Sequence, residues 1–408
     1  MNFEYYIAKR IAPGRTETFA KPVVRIAILS IALGLALILA SVAIVIGFKH
    51  SISQKMLGFA APIQVIPFDQ NKSMEESPLT VQASFLKKLK ANPDINHIQF
   101  VAQKAGVLKT KYQMQGIILK GVDAAYDWTF LRKNLNAGQL PDFKTKEASR
   151  DVLISKKLAN KLLLKVGDPV RIWFVSGQHA GALGRKLLVA GIYSTGIDEF
   201  DSRFVICDLR QIQALNGWNP HQVGSIELEV KDLTHVRIVA QRIYKSIPYN
   251  LNIQTVYDKY PEVFSWLSLL DTNVVVILVL MLIVAGITMI STLFILIIER
   301  TGMVGILKTL GANNNSIRKI FLYKATYIIL WGMFWGNLLG IGFYSIQYYF
   351  HLFKLNAQNY YVSYVPVELH WPGFLLINTG VFLLSILMLI LPSFYITRIT
   401  PSRALRYE

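Results

Sequence analysis

At 408 residues, with 53% hydrophobic content and a mean hydropathy of +0.38, the chain is too apolar for an ordinary soluble protein. Its apolar residues come in blocks, the pattern of an integral membrane protein that also carries a sizeable water-exposed domain. The formal net charge of +18 does not point to nucleic acid, because the Lys and Arg residues form no stripe with interleaved aromatics and cationic flanks are expected of membrane spans; the single cysteine, Cys207, excludes an intrachain disulfide and a cysteine-based metal cluster.

Residues 1–22 place Phe3, Ile7 and Ile11 on one helical face with Lys9 and Arg10 opposite, the pattern of a short helix at the membrane surface. Residues 23–48 form the first span. It is longer than a signal-peptide core and no small-residue cleavage site follows, so it reads as a retained helix. Ile52, Met56 and Phe59 keep the helical period through 49–60, a stalk that carries the helix beyond the bilayer.

Residues 61–260 make a water-soluble domain. Alternating apolar and polar runs at 63–66, 170–175 and 225–230 predict strands, and helical periods fall at 81–90, 155–164, 208–215 and 234–247. A mixed α+β domain follows, in two lobes: the outer stretches 61–120 and 220–260 form one, and the β-rich middle is inserted into it.

Pro261 is well placed as a first helical residue. Residues 261–273 form a second stalk, with Val263, Phe264, Leu267 and Leu270 in helical register, and the charge-free block 274–298 is the second span. Roughly 40 residues at about 1.5 Å each give a rod of about 60 Å, twice the thickness of the hydrocarbon core. It lands on a polar foot, residues 299–324, in which Val304, Leu307 and Leu310 are spaced helically and Gly311 stops the helix. The third span, 325–350, carries Gly332, Gly336 and Gly340 at intervals of four, which lets another helix approach closely. A short loop, 351–372, with Tyr360, Tyr361 and Tyr364 resembles an interfacial aromatic belt. The fourth span occupies 373–396, and the tail 397–408 adds Arg398, Arg403 and Arg406.

Cationic residues crowd the region before the first span, the 299–324 segment and the tail. By the positive-inside rule both termini and the foot are cytoplasmic and the large domain lies outside. The search for chemistry is empty. There is no phosphate-cradling G-x-x-x-x-G-K-[ST] run, no nucleophile elbow, and the seven histidines never pair at metal-ligand spacing. Asp198, Glu199 and Asp201 read as a solvated loop rather than a cation site. The spans hold no acid or base that would mark an ion pathway. Energy, if used, enters through a partner at the foot.

The run from Glu299 to Ala312 resembles the coupling helix of the FtsX/MacB-type ABC transporter permeases, also termed type VII. Within them the chain is similar to the lipoprotein-releasing transmembrane subunits of the Lol system. Tyr6-Ile7-Ala8-Lys9-Arg10, the run from Val152 through Asp168 and the tail from Pro401 to Glu408 carry that likeness, together with the layout of one span, a big domain and three further spans.

The resemblance implies an inner-membrane permease dimer, homo- or heterodimeric, bound to a separate pair of ATPases that hold the ATP and Mg; this chain binds no cofactor of its own and no nucleic acid. It implies ATPase coupling through Glu299, Arg300, Met303, Val304, Gly305, Ile306, Leu307, Lys308 and Gly311. Met303 replaces the family's usual acid, which implies apolar grip there. It implies a lipid cavity between the first two spans, lined by Ala32, Ala36, Ala40, Val275, Leu278 and Leu282, although the three alanines also suit helix packing. From this cavity a triacylated lipoprotein is squeezed toward a periplasmic chaperone, and the candidate chaperone contacts are Ser176, Gly177, Gln178, His179, Gly181 and Arg185. Gly305→Asp or Leu307→Asp is expected to uncouple the ATPase. Two rival readings remain: an FtsX-like signalling permease acting on a cell-wall hydrolase, for which the outer domain is large, and a MacB-like efflux permease, which would often carry a fused ATPase.

Overall fold

The computed structural model describes residues 4, 6–7, 20–68, 76–111, 113–145, 147–175, 182–356 and 360–394. They fall into two compact units: the helical one takes in 20–50, 265–354 and 364–394, and the mixed one takes in 51–264 and 355–363.

Among the described residues four helices are long and apolar enough to cross a membrane. Their described bounds are Ala20–Phe59, Pro261–Glu299, Asn314–Phe350 and Trp371–Ser393. The first two run 40 and 39 residues without a break, about 60 Å each at 1.5 Å per residue. Hydroxyls of Thr288, Thr292 and Thr326 bond back to carbonyls one turn earlier at 2.7–2.8 Å, which satisfies them inside apolar helices.

Within the helical unit the third helix lies against the first along its glycine ridge. A Cβ on Gly336 would come within 2.9 Å of the Ala32 carbonyl oxygen, and one on Gly332 within 2.7 Å of Ile31 Cβ. Gly340 faces Leu39 and Ala36 in the same row. Gly286 of the second helix makes room for Met388 of the fourth. One apolar cluster, with Ala27, Ile31, Leu293, Ile297, Val304, Phe321, Ile328 and Leu389, draws on all four helices and the foot. A polar bridge crosses between the third and fourth helices, where Asn337 Nδ2 donates to Asn378 Oδ1 at 2.8 Å.

In the mixed unit the strands join one sheet in the order β12-β1-β11-β3-β4-β9-β6-β8-β5, with β7 pairing both β3 and β8. Their bounds are β1 Ile63–Pro67, β3 Ile95–Lys109, β4 Met114–Val122, β5 Leu135–Gly138, β6 Asp151–Ser155, β7 Pro169–Val175, β8 Ala182–Tyr193, β9 Phe204–Asp208, β11 Ser225–Val230 and β12 Leu251–Thr255. The outer stretches supply β12, β1, β11, β3 and β4, and the middle supplies β9, β6, β8, β5 and β7. The two expected lobes are therefore the two ends of one hydrogen-bonded sheet, joined where β4 runs parallel to β9 and β3 reaches β7. A separate pair, β2 Leu79–Thr80 and β10 Gln222–Val223, closes one side. Helices Ala83–Lys90, Lys156–Leu162, Leu209–Asn216 and Val236–Tyr244 pack on this sheet through buried faces such as Leu158, Ile212 and Ile243.

Candidate functional site

The foot follows the second long helix after a single non-helical residue. Arg300 breaks the helical pattern at φ −109°, and a nine-residue helix, Thr301–Thr309, begins. Its end is a Schellman closure. Gly311 takes a left-handed φ of 88°, its N–H donates to the Lys308 carbonyl, and the Ala312 N–H donates to the Leu307 carbonyl at 2.9 Å. Gly311 is thus the residue that ends the helix, the conformation only glycine adopts without strain.

The short helix has two faces. Val304 is fully buried and Gly305 is buried, while Met303 and Leu307 pack against the four-helix cluster. Gly302, Ile306 and Leu310 stand at intervals of four on the opposite face: Ile306 is 54% and Leu310 78% exposed, and nothing lies within 4 Å of the Cβ position at Gly302. Glu299 and Thr309 are also exposed, and Arg300 and Lys308 are half-buried.

The expected coupling set therefore divides. Val304, Gly305, Met303 and Leu307 hold the foot to its own unit, Ile306 and Glu299 face outward, and Lys308 is half-buried, one turn after Val304. Leu310 and Gly302 were not among the expected contacts, although Leu310 had been placed in helical register with Val304 and Leu307. Six residues at 100° each put Leu310 about 120° away from Val304, whereas intervals of four keep one stripe. The substitution Gly305→Asp would accordingly place a charge in the packed interior and is no clean probe of coupling.

Of the residues expected to line a lipid cavity, Ala32 is buried, with its carbonyl against Gly336, and Ala36 adjoins Gly340. Both lie where the first helix packs on the third. Ala40 is half-buried. Leu278 and Leu282 pack beside Leu35, Ile38 and Val381, and Val275 is exposed at 58%. Ser176, Gly177, Gln178, His179 and Gly181 lie outside the described residues. Arg185 is on β8, partly buried and opposite Ile172.

Two further expectations change. The acidic group is not a solvated loop. Asp201 is buried, and its carboxylate accepts from the Thr195 and Gly196 N–H groups and from the Thr195 hydroxyl at 2.8–3.1 Å, while Asp198 pairs with Lys157. Tyr361 is not part of a simple aromatic belt either. Its hydroxyl donates to Glu199 Oε1 at 3.3 Å, its carbonyl accepts from Lys55 Nζ at 2.8 Å, and burial with Glu199 alongside pushes the phenol up to about 12. Among the described residues no three His, Cys, Asp or Glu side chains gather as a metal ion would need.

Residues 26–245 match the MacB-like periplasmic core domain and residues 275–401 the FtsX-like permease C-terminal domain. The chain belongs to the family of FtsX-like ABC transporter permeases that carry a MacB-like periplasmic core domain. Three relatives that align along nearly their whole length each share less than a quarter of its residues. It is 22% identical to the lipoprotein-releasing system transmembrane protein LolE of Haemophilus influenzae, over 99% of each chain. It is 23% identical to the corresponding LolC of Xylella fastidiosa, over 93% of each chain, and 24% identical to LolC of H. influenzae over the full length of both. Among solved structures, the periplasmic region of MacB from Actinobacillus actinomycetemcomitans aligns at 11% identity, covering 50% of this chain and 92% of its own, with a TM-score of 0.35. The chain is thus a transport membrane subunit.

Proposed function

We propose that this chain is the membrane subunit of a lipoprotein-releasing transporter, in which a separate ATPase pair drives extraction of triacylated lipoproteins from the inner membrane toward a periplasmic chaperone. A second permease subunit, identical or not, completes the transporter. The N-terminal segment, foot and tail face the cytoplasm and the mixed domain faces the periplasm, in keeping with the cationic flanks of the spans.

The observation that supports this most is the foot. An outward stripe of Gly302, Ile306 and Leu310 sits directly after a 39-residue helix, where an ATPase can grip a helix that leads toward the other side of the bilayer. End-to-end similarity to LolE and LolC supports lipoproteins as the cargo. The charge-free stretch 274–298 of the second helix suits acyl chains, since moving a charge past them would be costly. Depletion followed by membrane fractionation tests the reading: outer-membrane lipoproteins accumulate in the inner membrane. Their normal distribution in depleted cells would remove the assignment.

A further inference from the structure

The first long helix ends, at Phe59, inside the mixed unit, and the second begins, after Tyr260, in the same unit. Phe200 touches both ends: its ring stacks on Phe59 at 4.4 Å between centroids and meets Tyr260 edge-on at 5.4 Å. Phe204 and Tyr193 complete the aromatic group around Phe59. Beneath it lies a buried ionic centre. Lys120 on β4 and Glu227 on β11 keep 2% and 0% of their side-chain surface, and their Nζ and Oε1 are 3.0 Å apart.

Lys120 Nζ also donates to the Phe59 carbonyl oxygen at 3.1 Å. That oxygen belongs to the last turn of a 40-residue helix, where carbonyls lack intrahelical donors and a cation is favoured by the helix dipole. Glu227 in turn accepts from Gln64 Nε2 at 2.9 Å and Gln99 Nε2 at 2.7 Å, and Lys259 Nζ donates to Gln64 Oε1 at 2.9 Å. Gln64 lies on β1, which leads out of the first helix, and Lys259 stands two residues before Pro261, which opens the second. Burial alone would lower the Lys120 ammonium, and the Glu227 carboxylate overrides that and holds it above its ordinary range. A buried ion pair is costly unless every lone pair is met. Besides Gln99 of β3, the groups that meet it lie at the end of the first stalk, Phe59 and Gln64, and Gln64 links it to Lys259 at the start of the second.

We propose that Lys120 and Glu227 are positioning residues for force transmission: they lock the end of the first stalk and the start of the second into one joint of the soluble domain, so that stalk motion moves the domain rather than slipping past it. The proposal rests on the ATP-driven reading above, and names where that drive enters the outer domain.

Replacing one partner alone would strand a buried charge and unfold the site, so the test uses the double variant Lys120→Met/Glu227→Gln. It keeps the shape and one of the two oxygens that Gln64 and Gln99 donate to, and it leaves the Phe59 carbonyl without its cap. The full chain is reconstituted with its ATPase in lipid nanodiscs, with nitroxide labels at Ser53 on the stalk and Lys231 on the domain. Three readouts are taken: thermal melting, lipoprotein release per ATP hydrolysed, and the label-to-label distance distribution with and without nucleotide. The expected result is a melting point and ATP hydrolysis close to wild type, a distance distribution at least twice as broad, and at least a tenfold loss of release per ATP. Wild-type release per ATP overturns the proposal, whatever the labels show, and so does an unchanged distance distribution. A variant too unstable to assay is replaced by Phe200→Leu, which loosens the same joint from its aromatic side and is judged by the same two results. If wild-type protein itself releases no lipoprotein, the functional reading fails, and the joint is decided by the labels alone: broadening supports it and no broadening overturns it.

Discussion

Glu76 shows how much of this molecule is decided by single side chains that no motif announces. Its Oε2 accepts from the Gln103 N–H at 2.6 Å and lies where a Cβ on Gly224 would stand, so glycine there makes room for the carboxyl. Burial raises its pKa to about 7, against the counter-pull of the Gln103 N–H and of Lys259. A carboxyl whose folded pKa lies above its unfolded value of 4.5 stabilises the fold below pH 4.5, and that contribution is lost as pH rises through about 7. The full loss is about 3 kcal/mol. Asp123, raised to about 6 by burial, adds in the same direction. Melting of the soluble domain is expected to fall as pH rises over this window, and Glu76→Gln is expected to flatten the slope. An equal slope in the variant would contradict the assignment. At this scale the sequence is least legible. Glu76, Lys120 and Glu227 sit on separate strands and loops up to 151 positions apart, and only the sheet order brings them together. Asn337 and Asn378 likewise bond across two spans whose lack of charge was plain, while their pairing was not.

Elements were far more legible, since periodicity is a property of neighbours along the chain. The strands at 63–66, 170–175 and 225–230 appear within a residue or two of their expected ends, and so do the helices expected at 81–90 and 208–215, found at Ala83–Lys90 and Leu209–Asn216. The reason is that alternation and the 3.6-residue period follow directly from which face is buried. The join between lobes was not visible, because β4 meets β9 only in space. The glycine row of the third helix lies against Ala32, Ala36 and their neighbours in the first helix. Gly336→Val is expected to force those helices apart, because the nearest atom is a backbone oxygen that cannot swing away, at a cost of about 1–3 kcal/mol. Thermal stability of the purified protein checks this. A variant at Gly342, which has nothing within 4 Å, serves as the control expected to melt like wild type.

For the molecule as a whole, the layout of one span, a large domain and three spans was legible because twenty-residue apolar blocks are hard to mistake, and the short helix of the foot because its residues are contiguous. What the chain alone did not disclose is which side of the foot faces out. The central claim is that an ATPase acts on the exposed stripe of the foot and that a long unbroken helix carries the work onward. Ile306→Asp is the sharpest probe, because this side chain is 54% exposed and contributes nothing to the buried cluster. The decisive measurement is lipoprotein released per ATP hydrolysed by the permease with its ATPase in proteoliposomes. The account predicts that Ile306→Asp leaves insertion and stability unchanged and lowers that ratio at least tenfold, whereas a wild-type ratio in the variant would contradict it.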